Sequence, residues 1–162
     1  KYNKEESMIK RIIYSLLPII GGVIVGLITS GYMDYKNMVK PPLSPPSIVF
    51  PIVWTILYIL MGISYFLATK DNENNKELDQ IYLLQLLVNF LWPIIFFVLG
   101  MYFTAFIWIV LLIILVIVMI KELLKNNKIS GYLQIPYLIW LLFATYLNLG
   151  ITLLNLKTHK LL

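Results

Sequence analysis

The sequence has no cysteine, a single histidine and few charged residues. Charged residues make up 13% of the 162 residues, about half the share in an average soluble domain. Without cysteine there is no disulfide, no thiolate metal ligand and no cysteine nucleophile. The histidine, His159, lies in a polar tail, and no pair of carboxylates falls inside an apolar segment. We therefore expect no metal site, no cofactor and no general acid–base pair, which argues against hydrolases and redox-metal enzymes.

Hydrophobic residues, at 60% of the chain, are gathered in five apolar segments. These segments lie at about residues 8–30, 48–69, 80–99, 102–124 and 132–156. Each is close to the roughly 20 residues that an α-helix needs to cross a bilayer. The charged N-terminal stretch runs into the first segment without a small-residue cleavage site, so we interpret it as part of a span. The sequence predicts an all-α integral membrane protein, a single domain of five transmembrane helices over residues 1–162.

The basic residues predict an orientation in the membrane. The net charge is +5, and its lysines and arginines lie at the ends of apolar segments, where they suit lipid headgroups. We therefore expect no nucleic-acid partner. If the helices alternate in direction, nine of the 13 basic residues fall on the side of the N-terminus. The positive-inside rule then predicts a cytoplasmic N-terminus, in what we expect to be a bacterial cell membrane.

The connection between the first two apolar segments, loop one (Gly31–Ser47), is the longest in the chain. It contains Pro41, Pro42, Pro45 and Pro46. Proline fixes its own φ and disfavours helix in the preceding residue, so the loop should be extended and stiff. It leads directly into an apolar helix, and we interpret it as a lid over a binding site.

Three apolar segments carry aromatic and polar residues at spacings of three and four, which places them on one helical face. These faces hold Trp54, Tyr58, Met61 and Tyr65 in the second segment, Gln85, Asn89, Trp92 and Phe96 in the third, and Trp140, Ala144, Asn148, Ile151 and Asn155 in the fifth. Polar residues in lipid-embedded helices are costly unless they face a partner or a cavity. The three faces should therefore point inward beneath the lid and form an aromatic pocket for a flat, hydrophobic ligand.

Some of these residues also have a purely structural explanation. Asn89 and Asn148 would serve equally well in hydrogen bonds between neighbouring helices. Gly22 and Gly26 allow close helix approach, and we favour packing within the chain over a dimer interface.

The remaining polar and aromatic residues near segment ends are interpreted as interfacial. Tyrosine and tryptophan favour the headgroup region, and charges cost little there. This group comprises Asp34, Asp79, Tyr102, Tyr132 and Tyr137, with an interfacial position as the alternative for Trp92. Trp108 is interpreted as interfacial or lipid-facing.

Several motifs together resemble the translocator protein family, also called tryptophan-rich sensory proteins or peripheral-type benzodiazepine receptors. They are Lys40-Pro41, Pro45-Pro46, Trp54, Tyr58, Met61-Gly62, QLLVNFLWPIIFF at 85–97 and PYLIWLLFATYLNLGITLLN at 136–155. The matches keep the order and spacing of the family over four of the five segments. The resemblance implies a five-helix bundle, often a homodimer, whose ligand cavity is covered by loop one.

The resemblance also implies ligands and site residues. Family ligands include porphyrins such as protoporphyrin IX, sterols in animal members and synthetic benzodiazepines. Trp54 and Trp140 would flank the ligand, and Asn89 and Ala144 would line the cavity. The expected ligand-binding residues are Tyr35, Pro45, Pro46, Phe50, Trp54, Tyr58, Gln85, Asn89, Trp92, Phe96, Trp140, Ala144, Leu147 and Asn148.

Loop one departs from the family pattern. Asp34 and Leu43 stand where family members commonly have tryptophan. The sterol motif of animal members is also missing, because the first basic residue after Tyr146 is Lys157.

The function we expect is a membrane receptor or binding protein for porphyrin or another flat, hydrophobic ligand, acting as sensor, carrier or scavenger. One alternative is a light-dependent porphyrin-degrading enzyme that uses Trp54 and Trp140. Others are a transporter of tetrapyrroles or lipids and a scaffold that holds membrane lipid. The transporter is disfavoured because the sequence shows no inverted repeat of broken helices.

Overall fold

The computed structural model describes residues 4–32, 35, 37–70 and 75–155, and its regular elements in these ranges are helices. They are α1 (Lys4–Ser30), α2 (Val49–Ala68), α3 (Lys76–Pro93) with a π-helical end (Ile94–Val98), α4 (Tyr102–Asn126), α5 (Lys128–Tyr132) and α6 (Ile135–Asn155). Counting α3 with its π-helical end, and α5 with α6, gives five helices long and apolar enough to cross a membrane. The predicted fold class is confirmed.

The end of α3 is shaped by Pro93. Proline has no N–H, so the α-helical bond to the carbonyl of Asn89 cannot form. The chain widens into the π-helix, in which the N–H of Leu99 donates to the carbonyl of Ile94 at 3.0 Å. Gly100 ends it at φ +63°, a conformation that glycine adopts without steric cost. The π-turn shifts the faces of the residues after Pro93, and Phe96 becomes buried against Trp92.

The most extensive contacts between helices are those of α1 with α2, α3 with α4, and α4 with α6. Within the described residues, the backbones of α2, α3 and α6 come close to one another at few points, so side chains fill the space between them. Trp108 joins α4 to α3 by donating its indole N–H to the carbonyl of Val88 at 2.9 Å. The interfacial or lipid-facing interpretation of Trp108 was therefore wrong, because the ring is half-buried and hydrogen-bonded between helices.

A polar cluster joins α1, α2 and α3 near the loop between α2 and α3. Asp79 is 9% exposed, forms an ion pair with Lys10 and accepts a hydrogen bond from the Tyr65 hydroxyl at 2.5 Å. The hydroxyl of Tyr82 donates to the carbonyl of Tyr14 at 3.1 Å. The prediction of a low-cost charge at a segment end was wrong for Asp79. Its helix begins at Lys76, before the apolar run, so the carboxylate lies inside the bundle.

Helix α1 presents most of its surface outward, as expected of a helix solvated by lipid. Its buried residues are Ser7, Pro18 and Thr29. A Cβ atom on Gly22 would lie 2.3 Å from the ring of Tyr58, which confirms packing within the chain at that position. Gly26 has nothing within 4 Å of the corresponding point, so it takes no part in this contact.

Other sequence predictions have mixed outcomes. Tyr132 is 63% exposed at the end of α5, as expected of an interfacial residue. Tyr102 is half-buried and packs on Phe96 with ring centroids 5.0 Å apart. Asp34 and His159 lie outside the described residues. The cytoplasmic N-terminus, the bacterial membrane and the homodimer remain predictions.

The contact between Gly62 and α1 predicts a position that cannot accept a side chain. A Cβ atom on Gly62 of α2 would lie 2.2 Å from the backbone carbonyl oxygen of Ser15 on α1. We expect Gly62→Ala to cost about 1–3 kcal/mol of stability, because backbone cannot move aside as a side chain can. Thermal unfolding in detergent measures the effect. Gly26→Ala is the matched control and should leave the Tm unchanged or slightly raised; equal losses in both variants would contradict this account.

Candidate ligand-binding site

A small cavity lies beneath loop one, between α2, α3 and α6. Its open volume is about 20 Å³. It is lined by Tyr35, Phe50, Trp92, Phe96, Phe97, Ala144, Leu147, Asn148 and Ile151. All of these except Phe97 and Ile151 belong to the predicted ligand-binding set. The structure therefore brings residues of loop one and three helices together at the predicted place.

Tyr35 closes the cavity from the loop-one side. It is 6% exposed, and its ring packs edge-on against Phe50 with centroids 5.1 Å apart. Burial raises the pKa of the Tyr35 hydroxyl above its usual value, so the side chain stays neutral at physiological pH. Phe50 in turn packs edge-on against Trp140 at 5.9 Å. Three rings thus run without a gap from the loop to α6.

A second layer of aromatic residues lies deeper in the bundle. The ring of Trp54 packs against Tyr58 at 5.4 Å and edge-on against Tyr137 at 6.1 Å. Of the predicted ligand-binding residues, this layer contains Trp54, Tyr58, Gln85 and Asn89. Trp140 does not line the cavity itself but contacts Phe50, which does.

A directional chain of hydrogen bonds connects α2, α3 and α6 in this layer. The hydroxyl of Tyr58 donates to Asn89 Oδ1 at 2.8 Å, and Asn89 Nδ2 donates to the hydroxyl of Tyr137 at 2.8 Å. The hydroxyl of Tyr137 then donates to Gln85 Oε1 at 3.1 Å. Every step runs in the same sense, so the chain ends at Gln85 Oε1, which accepts the last bond, and Gln85 Nε2 is left as a donor.

Tyr137 was misplaced by the sequence prediction. It is 1% exposed and lies at the centre of the hydrogen-bond chain, whereas an interfacial position was expected. Its spacing contained the correct signal. Tyr137 precedes Ala144 and Asn148 by seven and eleven residues, which places all three on one face of a helix. Tyr137 was instead classed as interfacial because it lies near the end of its apolar segment.

Asn89 and Asn148 both form hydrogen bonds between helices, as the structural explanation of these residues predicted. Asn89 bonds to Tyr58 and Tyr137 on other helices, as described above. Asn148 accepts from Trp92 Nε1 at 3.2 Å and donates to the carbonyl of Tyr102 at 3.0 Å. Asn148 also lines the cavity, so its structural role and its place in the site coexist. Trp92 is 8% exposed, which removes the interfacial alternative for it.

Pro45 and Pro46, the two prolines of loop one that were predicted to bind the ligand, do not line the cavity. The carbonyl of Pro46 accepts a hydrogen bond from the N–H of Val49 at 3.0 Å, and Pro46 itself is exposed. Pro45 is half-buried. These prolines lead the chain into α2, and Tyr35 provides the roof.

The polar groups of the site include donors that are not used within the protein. Two buried donors, Gln85 Nε2 and Trp140 Nε1, have no hydrogen-bond partner. A buried donor without a partner is costly, so both groups favour a ligand that carries an acceptor. Among the described residues, no three His, Asp or Glu side chains lie close enough together to hold a metal.

A larger groove of about 250 Å³ lies on the outer surface between α4 and α6. It is lined by Gly100–Thr104 together with Thr152 and Asn155. Only Tyr102 and Phe103 among these are aromatic, and the groove is open to its surroundings. It lacks both the roof and the stacked rings of the inner cavity, which therefore remains the candidate site.

Comparison with known proteins matches residues 14–154 to the TspO/MBR family. The tryptophan-rich protein TspO of Archaeoglobus fulgidus is 38% identical over 122 residues, which cover 75% of this chain and 79% of that protein. The tryptophan-rich sensory protein of Cereibacter sphaeroides is 33% identical over 121 residues, covering 75% and 76%. The translocator protein of Bos taurus is 29% identical over 141 residues, covering 83% of each chain.

The hydrogen-bond chain predicts that the Tyr137 hydroxyl stabilises the bundle. Tyr137→Phe removes one hydroxyl and leaves a donor on Asn89 and an acceptor on Gln85 without partners. We expect a loss of about 1–3 kcal/mol, measured by thermal or denaturant unfolding in detergent. Tyr132→Phe removes a hydroxyl from a 63% exposed residue and serves as the control. Equal stability of the two variants would contradict the assignment.

Proposed function

The chain belongs to the TspO/MBR family, and on that premise we propose that it is a membrane receptor for a flat, hydrophobic ligand of the porphyrin class. The observation that carries the proposal is the cavity beneath Tyr35, where aromatic residues of α2, α3 and α6 converge. The names of its relatives, tryptophan-rich sensory protein and translocator protein, support a role in sensing or translocation.

The size of the cavity sets a condition on binding. Pockets for drug-sized ligands enclose about 300–1,000 Å³, whereas the space beneath Tyr35 is about 20 Å³. A porphyrin must therefore displace Tyr35 and spread the rings of Phe50 and Trp140. Stacking on the macrocycle would replace the ring-to-ring contacts that are lost, since aromatic rings pack favourably at such spacings.

The unpartnered donors favour a ligand with acceptor groups. Gln85 Nε2 and Trp140 Nε1 can each donate to a carbonyl or carboxylate oxygen, and both belong to the residues around the aromatic space. A porphyrin carries a large flat apolar ring and, in protoporphyrin IX, carboxylate substituents. This combination suits an apolar aromatic space with few donors. The polar groups described around this space are hydroxyl, amide and indole groups, which suit hydrogen bonding to a bound ligand, so we propose binding rather than turnover.

Filling the cavity should weaken porphyrin binding. Ala144 is 4% exposed and lines the cavity, so Ala144→Phe places a ring where the ligand would sit. We expect protoporphyrin IX to quench tryptophan fluorescence saturably at micromolar concentrations in the wild-type protein. The apparent Kd should rise at least tenfold in Ala144→Phe.

The control is Leu142→Phe, two residues away on α6 and 55% exposed toward lipid. It adds a ring on the outer surface and should bind porphyrin as the wild type does. Quenching that fails to saturate in the wild type, or that is unaffected by Ala144→Phe, would overturn the proposal.

A further inference from the structure

Loop one contacts the C-terminal half of α6 at three points. The hydroxyl of Tyr146 donates to the carbonyl of Pro42 at 2.8 Å. Asn155 Nδ2 donates to the carbonyl of Val39 at 3.1 Å. Between these two bonds, the ring of Pro41 lies against Gly150, where a Cβ atom would be 2.5 Å from Pro41 Cγ.

The same stretch of loop one is attached to the roof of the cavity. Lys40 Nζ donates to the carbonyl of Tyr35 at 2.9 Å, and the ammonium group lies 4.7 Å from the centre of the Tyr35 ring. Val39 to Pro42 are therefore held by α6 on one side and hold Tyr35 on the other. Movement of this stretch away from α6 would carry Tyr35 with it.

The backbone next to these contacts is strained. Leu43 has φ +65°, a conformation that is unfavourable for a residue with a side chain, and the side chain is 83% exposed. The conformation persists only if neighbouring contacts hold it. Two hydrogen bonds next to Leu43 can hold it. One is the bond of Tyr146 to the carbonyl of Pro42, and the other lies within the loop, from Ser44 Oγ to the carbonyl of Pro41 at 2.7 Å. Release of Tyr146 would let this strain relax toward an open loop.

From these contacts we infer that Tyr146 and Asn155 are positioning residues that keep Tyr35 over the cavity and set the rate at which the site opens. Neither residue lines the cavity, so each acts through loop one. The inference rests on the proposed function, because it treats the cavity as the ligand site. One neutral hydrogen bond contributes enough that its loss should raise the open population roughly two- to tenfold.

The absence of cysteine allows a direct test that needs no ligand. The variant Ala144→Cys places one thiol in the cavity of a chain that has no other. We expect a neutral thiol reagent to label this position slowly, and Tyr146→Phe in the same background to raise the labelling rate roughly two- to tenfold. Tyr132→Phe, which removes an exposed hydroxyl at the other end of the helix bundle, should leave the rate unchanged.

A second variant opens the loop by a different means. Gly150→Ala keeps both hydrogen-bonding side chains but pushes a methyl group into Pro41, so the labelling rate of Ala144→Cys should rise again. General loosening is detected by Ala68→Cys, a buried position at the opposite end of α2. Its labelling should be the same with and without Tyr146→Phe. An equal rise at Ala68→Cys, or no rise at Ala144→Cys in the Tyr146→Phe background, would overturn the inference.

Ligand kinetics separate this inference from the proposed function. If porphyrin binds, Tyr146→Phe should raise both the association and the dissociation rates, because the loop must open for each. Failure of the wild type to bind porphyrin would overturn the proposed function, while the labelling rates would still decide the role of Tyr146.

Discussion

Polar groups buried among membrane helices must find partners within the protein, since lipid offers none. The chain from Tyr58 through Asn89 and Tyr137 to Gln85 supplies such partners across α2, α3 and α6 and leaves one donor, Gln85 Nε2, without a partner. It connects three helices whose backbones stay apart over most of their length. The aromatic space, and with it the candidate site, depends on this chain, because the hydrogen bonds set the distance between the helices that the rings fill.

The contacts above this chain reconcile tight packing with the proposed binding of a flat ligand. Tyr35, Phe50 and Trp140 contact one another in series and leave about 20 Å³ of open volume. Rings that pack on rings can pack equally well on a flat ligand. In our proposal loop one determines access to this space, and α6 holds loop one through residues outside the cavity. We thus assign affinity for the ligand to the residues of the cavity, and access of the ligand to the residues that hold loop one.

Much of the fold and of the site composition could be predicted from the sequence. Apolar segment length gave the five spanning helices, and spacings of three and four placed Trp92, Phe96, Ala144 and Asn148 around one space. Errors arose where a helix extends beyond its apolar run, as at Asp79, or where a residue near the end of the run faces inward, as at Tyr137. The bond from Tyr146 to Pro42 joins residues 104 positions apart, and no local pattern specifies such a contact.

The central claim is that the ligand occupies the space between α2, α3 and α6. A structure of the protein with protoporphyrin IX bound tests it most directly. The account predicts porphyrin density between Trp54 and Trp140, with Tyr35 displaced from its contact with Phe50. Density in the outer groove near Gly100 and Thr152, with the inner rings still packed on one another, would contradict it.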